Sequence, residues 1–167
     1  MPLGGWSHKF MGKNMVTIGF LADHLDTIPT LVKWFRTQWY DYFADLSDEE
    51  MTRDFLEDIS RNSIPSRLVA FESSEVVGTI VLRKSENEIL LEYQPELGGL
   101  YVMESYRGQG IGTELVQAGM KLAHEQGYVS ISATTVKAAG ILERLGWKFI
   151  KTVQYPDGEV SLYYCQL

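Results

Sequence analysis

Residues 100–112 read Leu-Tyr-Val-Met-Glu-Ser-Tyr-Arg-Gly-Gln-Gly-Ile-Gly. An apolar, strand-like run passes through a short polar turn into alternating glycines, and a helix-compatible stretch follows at once. A strand that enters a helix through glycines aims several backbone N–H groups and the positive end of the helix dipole at one point in space. Such a point suits a phosphate group, so a phosphate-bearing ligand is expected there. The common phosphate loops do not match. The dinucleotide fingerprint needs G-x-G-x-x-G and an acidic ribose partner about 20 residues on, whereas Gly108, Gly110 and Gly112 are followed by Thr113 with no such partner in evidence. A P-loop needs a lysine before its Ser/Thr, and Gly112-Thr113 has none. What remains is R-x-x-G-x-G, carried by Arg107, Gly110 and Gly112.

The rest of the chain sets this loop in a mixed sheet. The pattern predicts a strand over 16–21, then a helix capped by Asp26 or Thr27, with Pro29 in its first turn and Leu31, Trp34, Phe35 and Trp39 at helical spacing. Ser47 and Glu50 form a capping box for a second helix to about residue 60, broken by Asn62-Ser63-Ile64-Pro65. Strands over 67–72 and 76–83 flank a hairpin turn, Ser73-Ser74-Glu75. A third strand is expected from 89 to 102, bent near Gln94-Pro95 because proline cannot donate to a ladder. A helix over 110–125 ends at Gly127, a strand follows over 129–134, and a short helix over 138–145 ends at Gly146. The last hairpin joins 147–155 to 160–165 around Pro156-Asp157-Gly158. One strand–helix–strand unit among antiparallel hairpins implies a single α/β (α+β) domain.

Composition narrows the partners. The formal net charge is −7 and no basic patch stands out, which argues against nucleic acid. An acidic surface suits an amine substrate and equally suits simple solubility. Cys165 is the single cysteine, so no internal disulfide can form. No apolar run approaches the roughly 18 residues of a membrane span, and residues 1–10 lack an apolar h-region, so a cytoplasmic location without membrane contact is expected. Residues 1–14 read as a flexible lead to a domain over 15–167, with Met15 as a second candidate start. His8, His24 and His124 are scattered, and no metal site is expected.

Residues 100–112 resemble the signature of the GNAT superfamily of acetyl-CoA-dependent N-acetyltransferases, Q/R-x-x-G-x-G/A between a central strand and a long helix. Ile141 to Trp147 is similar to the family's Leu-x-x-x-Gly-Phe feature, and the element order fits from about residue 16 to 167. The resemblance implies a mostly antiparallel sheet flanked by helices, with a splayed central strand pair. It implies acetyl-CoA as co-substrate and direct attack by a primary amine, small-molecule or peptide, in a ternary complex. Homodimers are common in the family. The alternative within the family is a catalytically silent CoA-binding sensor or interaction protein.

By the same resemblance, Leu100, Tyr101 and Val102 pair through their backbones with the pantetheine arm. Arg107, Gly108, Gln109, Gly110, Ile111, Gly112 and Thr113 hold the pyrophosphate, and the N–H of Tyr101 or Val102 serves the thioester oxygen. Family bases often come from the bent strand, which offers Glu92 and Glu96, alongside Tyr93. The family's usual acid, a tyrosine in the second helix, is replaced by Leu142, and Val136 stands near the place of its usual asparagine. A thiol of pKa about 8.5 leaves adequately without an acid. Tyr163 and Tyr164 alternate faces of the last strand, so either one is a further candidate acid. Cys165 reads as a core residue and His124 as a surface one. Trp34, Trp39, Tyr40 and Tyr42 suggest packing on one helix face and, with Asp41 and Asp45, an aromatic and acidic amine pocket on the other.

Overall fold

The computed structural model describes residues 8–11, 14–85 and 87–167. Among the described residues, eight strands form one sheet in the order β1-β2-β3-β4-β5-β6-β8-β7. They are β1 (His8–Met11), β2 (Asn14–Phe20), β3 (Ser66–Glu72), β4 (Glu75–Arg83), β5 (Glu96–Val102), β6 (Ser130–Thr135), β7 (Lys148–Tyr155) and β8 (Gly158–Gln166). All neighbours are antiparallel except β5 and β6. The parallel pair requires a crossover, which a long helix between them provides. The helices are α1 (Ile28–Gln38), α2 (Tyr40–Phe43), α3 (Asp48–Leu56), α4 (Ile111–Glu125) and α5 (Ala139–Arg144). The mixed, mostly antiparallel sheet flanked by helices is therefore as expected. Among the described residues no helix is long and apolar enough to cross a membrane.

Side-chain alternation sorts the helices onto the two faces. Ile18, Phe20, Leu68, Ile80, Leu97 and Ile131 meet Ile111, Leu115, Val116 and Leu122 of α4, with Leu142 of α5, on one face. Val69 and Val76 meet Leu31 and Phe35 of α1 and Met51 and Phe55 of α3 on the other. The capping box of Ser47 and Glu50 starts α3 as expected, with both reciprocal hydrogen bonds present. The helix ends at Leu56, four residues early, because Asp58 is drawn to β3: its carbonyl accepts from Arg67 N–H (3.0 Å).

The N-terminal stretch and the third strand differ from the sequence reading. Residues 8–11 pair with β2 inside the stretch read as a lead, whereas residues 1–7 lie outside the described residues. Residues expected to open the third strand instead form a 3-10 turn, Glu88–Tyr93, and only Glu96–Val102 is strand. Local side chains hold that turn. Asn87 Oδ1 accepts from Ile89 N–H (3.0 Å), while Gln94 accepts from Ser85 N–H (2.8 Å) and donates to the carbonyls of Ser85 (2.8 Å) and Leu90 (3.2 Å). Leu90 then buries against Val153 and Leu162.

The 3-10 turn covers the β7–β8 side of the face that α1 and α3 cover on the β3–β4 side. Between them β5 is left open. Glu96 and Leu97 are buried, yet Gly98 to Val102 are half-exposed although the strand has a neighbour on each side. On the opposite face Gly78 lets α4 and β5 close up: a Cβ there would stand 2.9 Å from Leu115 Cδ1 and 2.9 Å from the Tyr101 carbonyl oxygen. Gly78→Ala is therefore expected to lower unfolding free energy by about 1–3 kcal/mol through overpacking. Chemical denaturation measures it, and an unchanged midpoint would show that this contact has slack.

Candidate active site

Two irregularities open the middle of the sheet. In the β4–β5 ladder Val81 faces Gly98 but Thr79 faces Tyr101, so β5 carries one extra residue. That β-bulge contains Gly99 at φ 59, a backbone region that glycine enters at little cost. On its other side β5 meets β6 at one residue pair, Glu96 and Ser132, supported by Ser132 N–H donating to the Pro95 carbonyl (3.0 Å). Beyond that pair the strands part, which is the expected splay.

Backbone direction along β5 separates two residues that sequence treats alike. Met103 N–H donates to the Val77 carbonyl (2.8 Å), and the Tyr101 carbonyl lies against Gly78, so the peptide groups of Tyr101 and Met103 face β4. Val102 faces the other way, into the split, where its carbonyl accepts from Arg107 Nε (2.7 Å). The N–H turned toward the split is therefore that of Val102, and Tyr101 contributes its ring. The ring stacks on Trp34 with centroids 4.8 Å apart, and the Arg107 guanidinium lies 5.4 Å from its centre. Leu100 and Val102 direct their side chains to the α4 face.

The glycine loop follows. Gly108 (φ 75) and Gly110 (φ 85) are left-handed, and no atom lies within 4 Å of where a Cβ on Gly108 would stand. The first main-chain hydrogen bond of α4 runs from Glu114 N–H to the Gly110 carbonyl (3.1 Å), and no side chain caps the helix. The N–H groups of Ile111, Gly112 and Thr113 thus precede the helical ladder. Gly112 has a different reason to be glycine: a Cβ there would stand 3.0 Å from Ile141 Cδ1, so it sets the approach of α4 to α5. Gln109 folds back, with Nε2 3.4 Å from the Ser105 carbonyl.

The candidate bases separate clearly. Glu96 is 5% exposed on β5 beside the split, and its Oε1 accepts from Arg83 Nη2 (3.0 Å). Glu92 is exposed on the 3-10 turn, off the strand. Leu142 is a core residue, so the place of the family's tyrosine is filled by packing. Tyr163 points to the α5 face and donates to Glu143 (2.6 Å), which with partial burial pushes its pKa up. Tyr164 takes the opposite face, across from Ser132, with its ring 6.1 Å from Tyr93. Burial pushes the Cys165 thiol up, as befits a core residue, and His124 is exposed in the last turn of α4.

The expected aromatic and acidic pocket is not assembled. Helix α1 stops because Trp39 leaves helical geometry (φ −124, ψ 51). Residues 40–43 then form a separate turn, leaving Tyr40 and Tyr42 65% and 77% exposed, with Asp41 and Asp45 in solvent as well. Trp39 packs edge-on against Phe35. Trp34 alone of that group lines a cavity of about 600 Å³, where Lys33 and Glu104 bring the charge.

Three polar residues near the split carry no sequence signal. Arg67 is 4% exposed, donates from Nε to Asp58 (2.9 Å) and from Nη1 to Thr79 Oγ1 (3.2 Å), and lies between the Phe55 and Phe35 rings at 4.9 and 5.3 Å. Burial lowers its pKa, Asp58 works against that, and Arg83 adds to the lowering. Ser132 Oγ is buried without a hydrogen-bond partner. Only cross-strand register brings Arg83 and Ser132 beside Glu96, and Arg67 over Gly99. Among the described residues no group of three metal-binding side chains exists.

Residues 28–147, from the start of α1 to just past α5, match the acetyltransferase (GNAT) family. The chain belongs to the GNAT family. An N-alpha-acetyltransferase of Sulfurisphaera tokodaii is 34% identical over 104 residues, covering 54% of this chain and 62% of that protein. N-acetyltransferase 8 of Mus musculus is 28% identical over 140 residues, covering 80% of this chain and 52% of that protein. The chain thus spans less than two thirds of either relative. In fold, this GNAT chain resembles a ribosomal L7/L12 alpha-N-protein acetyltransferase solved with coenzyme A, with TM-score 0.71, 16% identity and coverage of 96% and 98%.

The signature loop is tied to the sheet through Tyr106. The Glu72 carboxylate facing its hydroxyl, with burial and the further charge of Glu75, pushes its pKa from 10.0 to about 12. A folded pKa raised in this way means that the tie is fully present below about pH 10. It is lost as pH rises through about 12. Titration of the Tyr106 ring by NMR should show that high value, and Glu72→Gln should lower it. A Tyr106 that titrates identically in both proteins would rule the tie out.

Proposed function

We propose that this GNAT chain transfers the acetyl group of acetyl-CoA to a primary amine by direct attack in a ternary complex. The observation that carries this reading is the open side of β5. There the Val102 N–H faces a split that runs toward the uncapped start of α4. Family membership supports the activity, and the loop fits the co-substrate: Gly108 has open space above it, and three N–H groups at the helix start offer an anion site.

Acetyl-CoA, when bound, supplies the activated acetyl group and a thiolate leaving group. The chain's residues do the rest. Gly108 to Thr113 bind phosphate oxygens through main-chain N–H groups, and Arg107 adds charge beside them. Val102 supplies the N–H donor for an acyl oxygen that gains charge. Glu96 takes the proton that the amine must lose, directly or through one water. Tyr101 positions the loop by holding Arg107 and Trp34 on its two sides. No acid is assigned, because Leu142 is core and a thiolate of ordinary basicity leaves unaided. The buried Leu142 also favours a second reading, in which the chain binds CoA without turning it over.

Purified protein given acetyl-CoA and a panel of primary amines separates the two by release of free thiol. Turnover is expected, with Glu96→Gln lowering kcat by about 10²–10⁴. Binding without turnover of any amine would favour the silent reading. Gly110→Val forces a β-branched residue into left-handed backbone at a cost of about 1–2 kcal/mol. It should weaken acetyl-CoA binding, and an unchanged Kd would contradict the placement of the pyrophosphate.

A further inference from the structure

The peptide that joins Val102 to Met103 is pinned at both ends. Its N–H, on Met103, donates to the Val77 carbonyl of β4 (2.8 Å). Its carbonyl, on Val102, turns into the split, where β6 offers no ladder partner beyond the Glu96–Ser132 pair. Arg107 supplies the donor instead: its Nε bonds the Val102 carbonyl at 2.7 Å, across five residues of chain. A strand carbonyl without a neighbouring strand is thus held by the residue that opens the glycine loop. The N–H proposed for the acyl oxygen, that of Val102, belongs to the adjoining peptide and shares the Val102 Cα with the pinned one. Its direction is set by the torsions about that Cα, and fixing the plane on one side restricts them.

The Arg107 side chain is kept in place by a further contact. Its guanidinium lies 5.4 Å from the centre of the Tyr101 ring, and that ring stacks on Trp34 of α1 with centroids 4.8 Å apart. Its main-chain N–H donates to the Glu104 carbonyl (3.2 Å), and Gly108 turns left-handed directly after it (φ 75). Among the described residues only Nε of the side chain has a hydrogen-bond partner, so the two Nη groups remain available to an anion. One side chain therefore has two separable parts. The Nη fork is free to meet negative charge, and the Nε–H holds the strand.

We propose that Arg107 is a positioning residue for acyl transfer and acts through Val102. Its Nε–H fixes the plane of the Val102–Met103 peptide and so aims the Val102 N–H at the acyl oxygen, while its charge adds affinity for the phosphates. This rests on the transferase reading above and adds to it a link between the pyrophosphate loop and the donor that the reaction uses. A group with charge alone would serve the phosphates and leave the strand carbonyl unpaired. Lysine is such a group: it has a methylene where arginine has Nε, and its charge lies beyond that point. Glutamine is the complement: its amide nitrogen is attached to Cδ, as Nε is in arginine, and it carries no charge. The two substitutions divide the roles.

The test is steady-state kinetics of the full chain with an amine that the wild-type protein acetylates. The acyl donor is acetyl-CoA or S-acetylpantetheine, which lacks the pyrophosphate. Arg107→Lys should lower kcat about tenfold or more with both donors. Arg107→Gln should lower kcat less than Arg107→Lys does. It should also raise KM for acetyl-CoA about tenfold through the lost charge, with no such rise for S-acetylpantetheine. Equal kcat in the two variants, or a lower kcat for Arg107→Gln than for Arg107→Lys, would overturn the proposal. The chemical shift of the Val102 carbonyl carbon, read by NMR in the ligand-free chain, reports the contact without any turnover. It should match in wild type and Arg107→Gln and move in Arg107→Lys; no difference between the two variants would overturn the proposal too. A shift that moves as expected in a chain that acetylates no amine overturns the transferase reading, and with it the role in acyl transfer, while the contact itself stands.

Discussion

Strands β5 and β6 share the pair Glu96–Ser132 and then diverge. The candidate site is built around that parting. A parallel pair joined by a helix would normally continue its ladder, and interrupting it leaves main-chain groups of a central strand without partners. The extra residue at the Gly99 bulge turns the strand, and the Pro95 carbonyl anchors Ser132 at the last point of contact. The consequence is a Val102 peptide group that looks into a cleft instead of into a neighbouring strand. The helix that the strand feeds begins uncapped at the far end of the same cleft.

An opening of this kind has to be braced, and Arg67 is part of the brace. A buried cation costs several kcal/mol unless it is paired and hydrogen-bonded. Here Asp58, just past α3, and Thr79, on β4, share it, and two phenylalanines from α1 and α3 close around it. The same side chain therefore fixes the helical layer to the strands. On the opposite face Gly78 and Gly112 let α4 sit close to β5 and α5, which sets where the helix N-terminus points.

Much of this was legible in the residue order. The strand–glycine–helix run, the Ser47–Glu50 capping box and the hairpin turns are local signals, and each appears where expected. The splay followed from family resemblance and not from any spacing. What stayed hidden depended on register. Ile89 to Tyr93 carry strand-like residues, but Gln94 and Asn87 supply hydrogen bonds that favour a tight turn, and the turn moves Glu92 into solvent. Tyr101 and Val102 look equivalent until the bulge decides which one faces β4. Gly108, Gly110 and Gly112 look like one motif, yet two are needed for backbone angle and one for contact with Ile141. Arg83 and Ser132 carry no signal of their own, and only register sets them beside Glu96, on β4 and β6.

The direct test of the split strand as the co-substrate site is amide hydrogen exchange at single-residue resolution, with and without acetyl-CoA. Without ligand, the Val102 amide should exchange quickly and the Tyr101 amide slowly, since only the latter faces β4. Acetyl-CoA should protect Val102 and the amides of Ile111, Gly112 and Thr113, leaving Tyr101 unchanged. Protection that spares Val102 and the start of α4, or a Val102 amide already slow in the free protein, would contradict the open strand on which the whole reading stands.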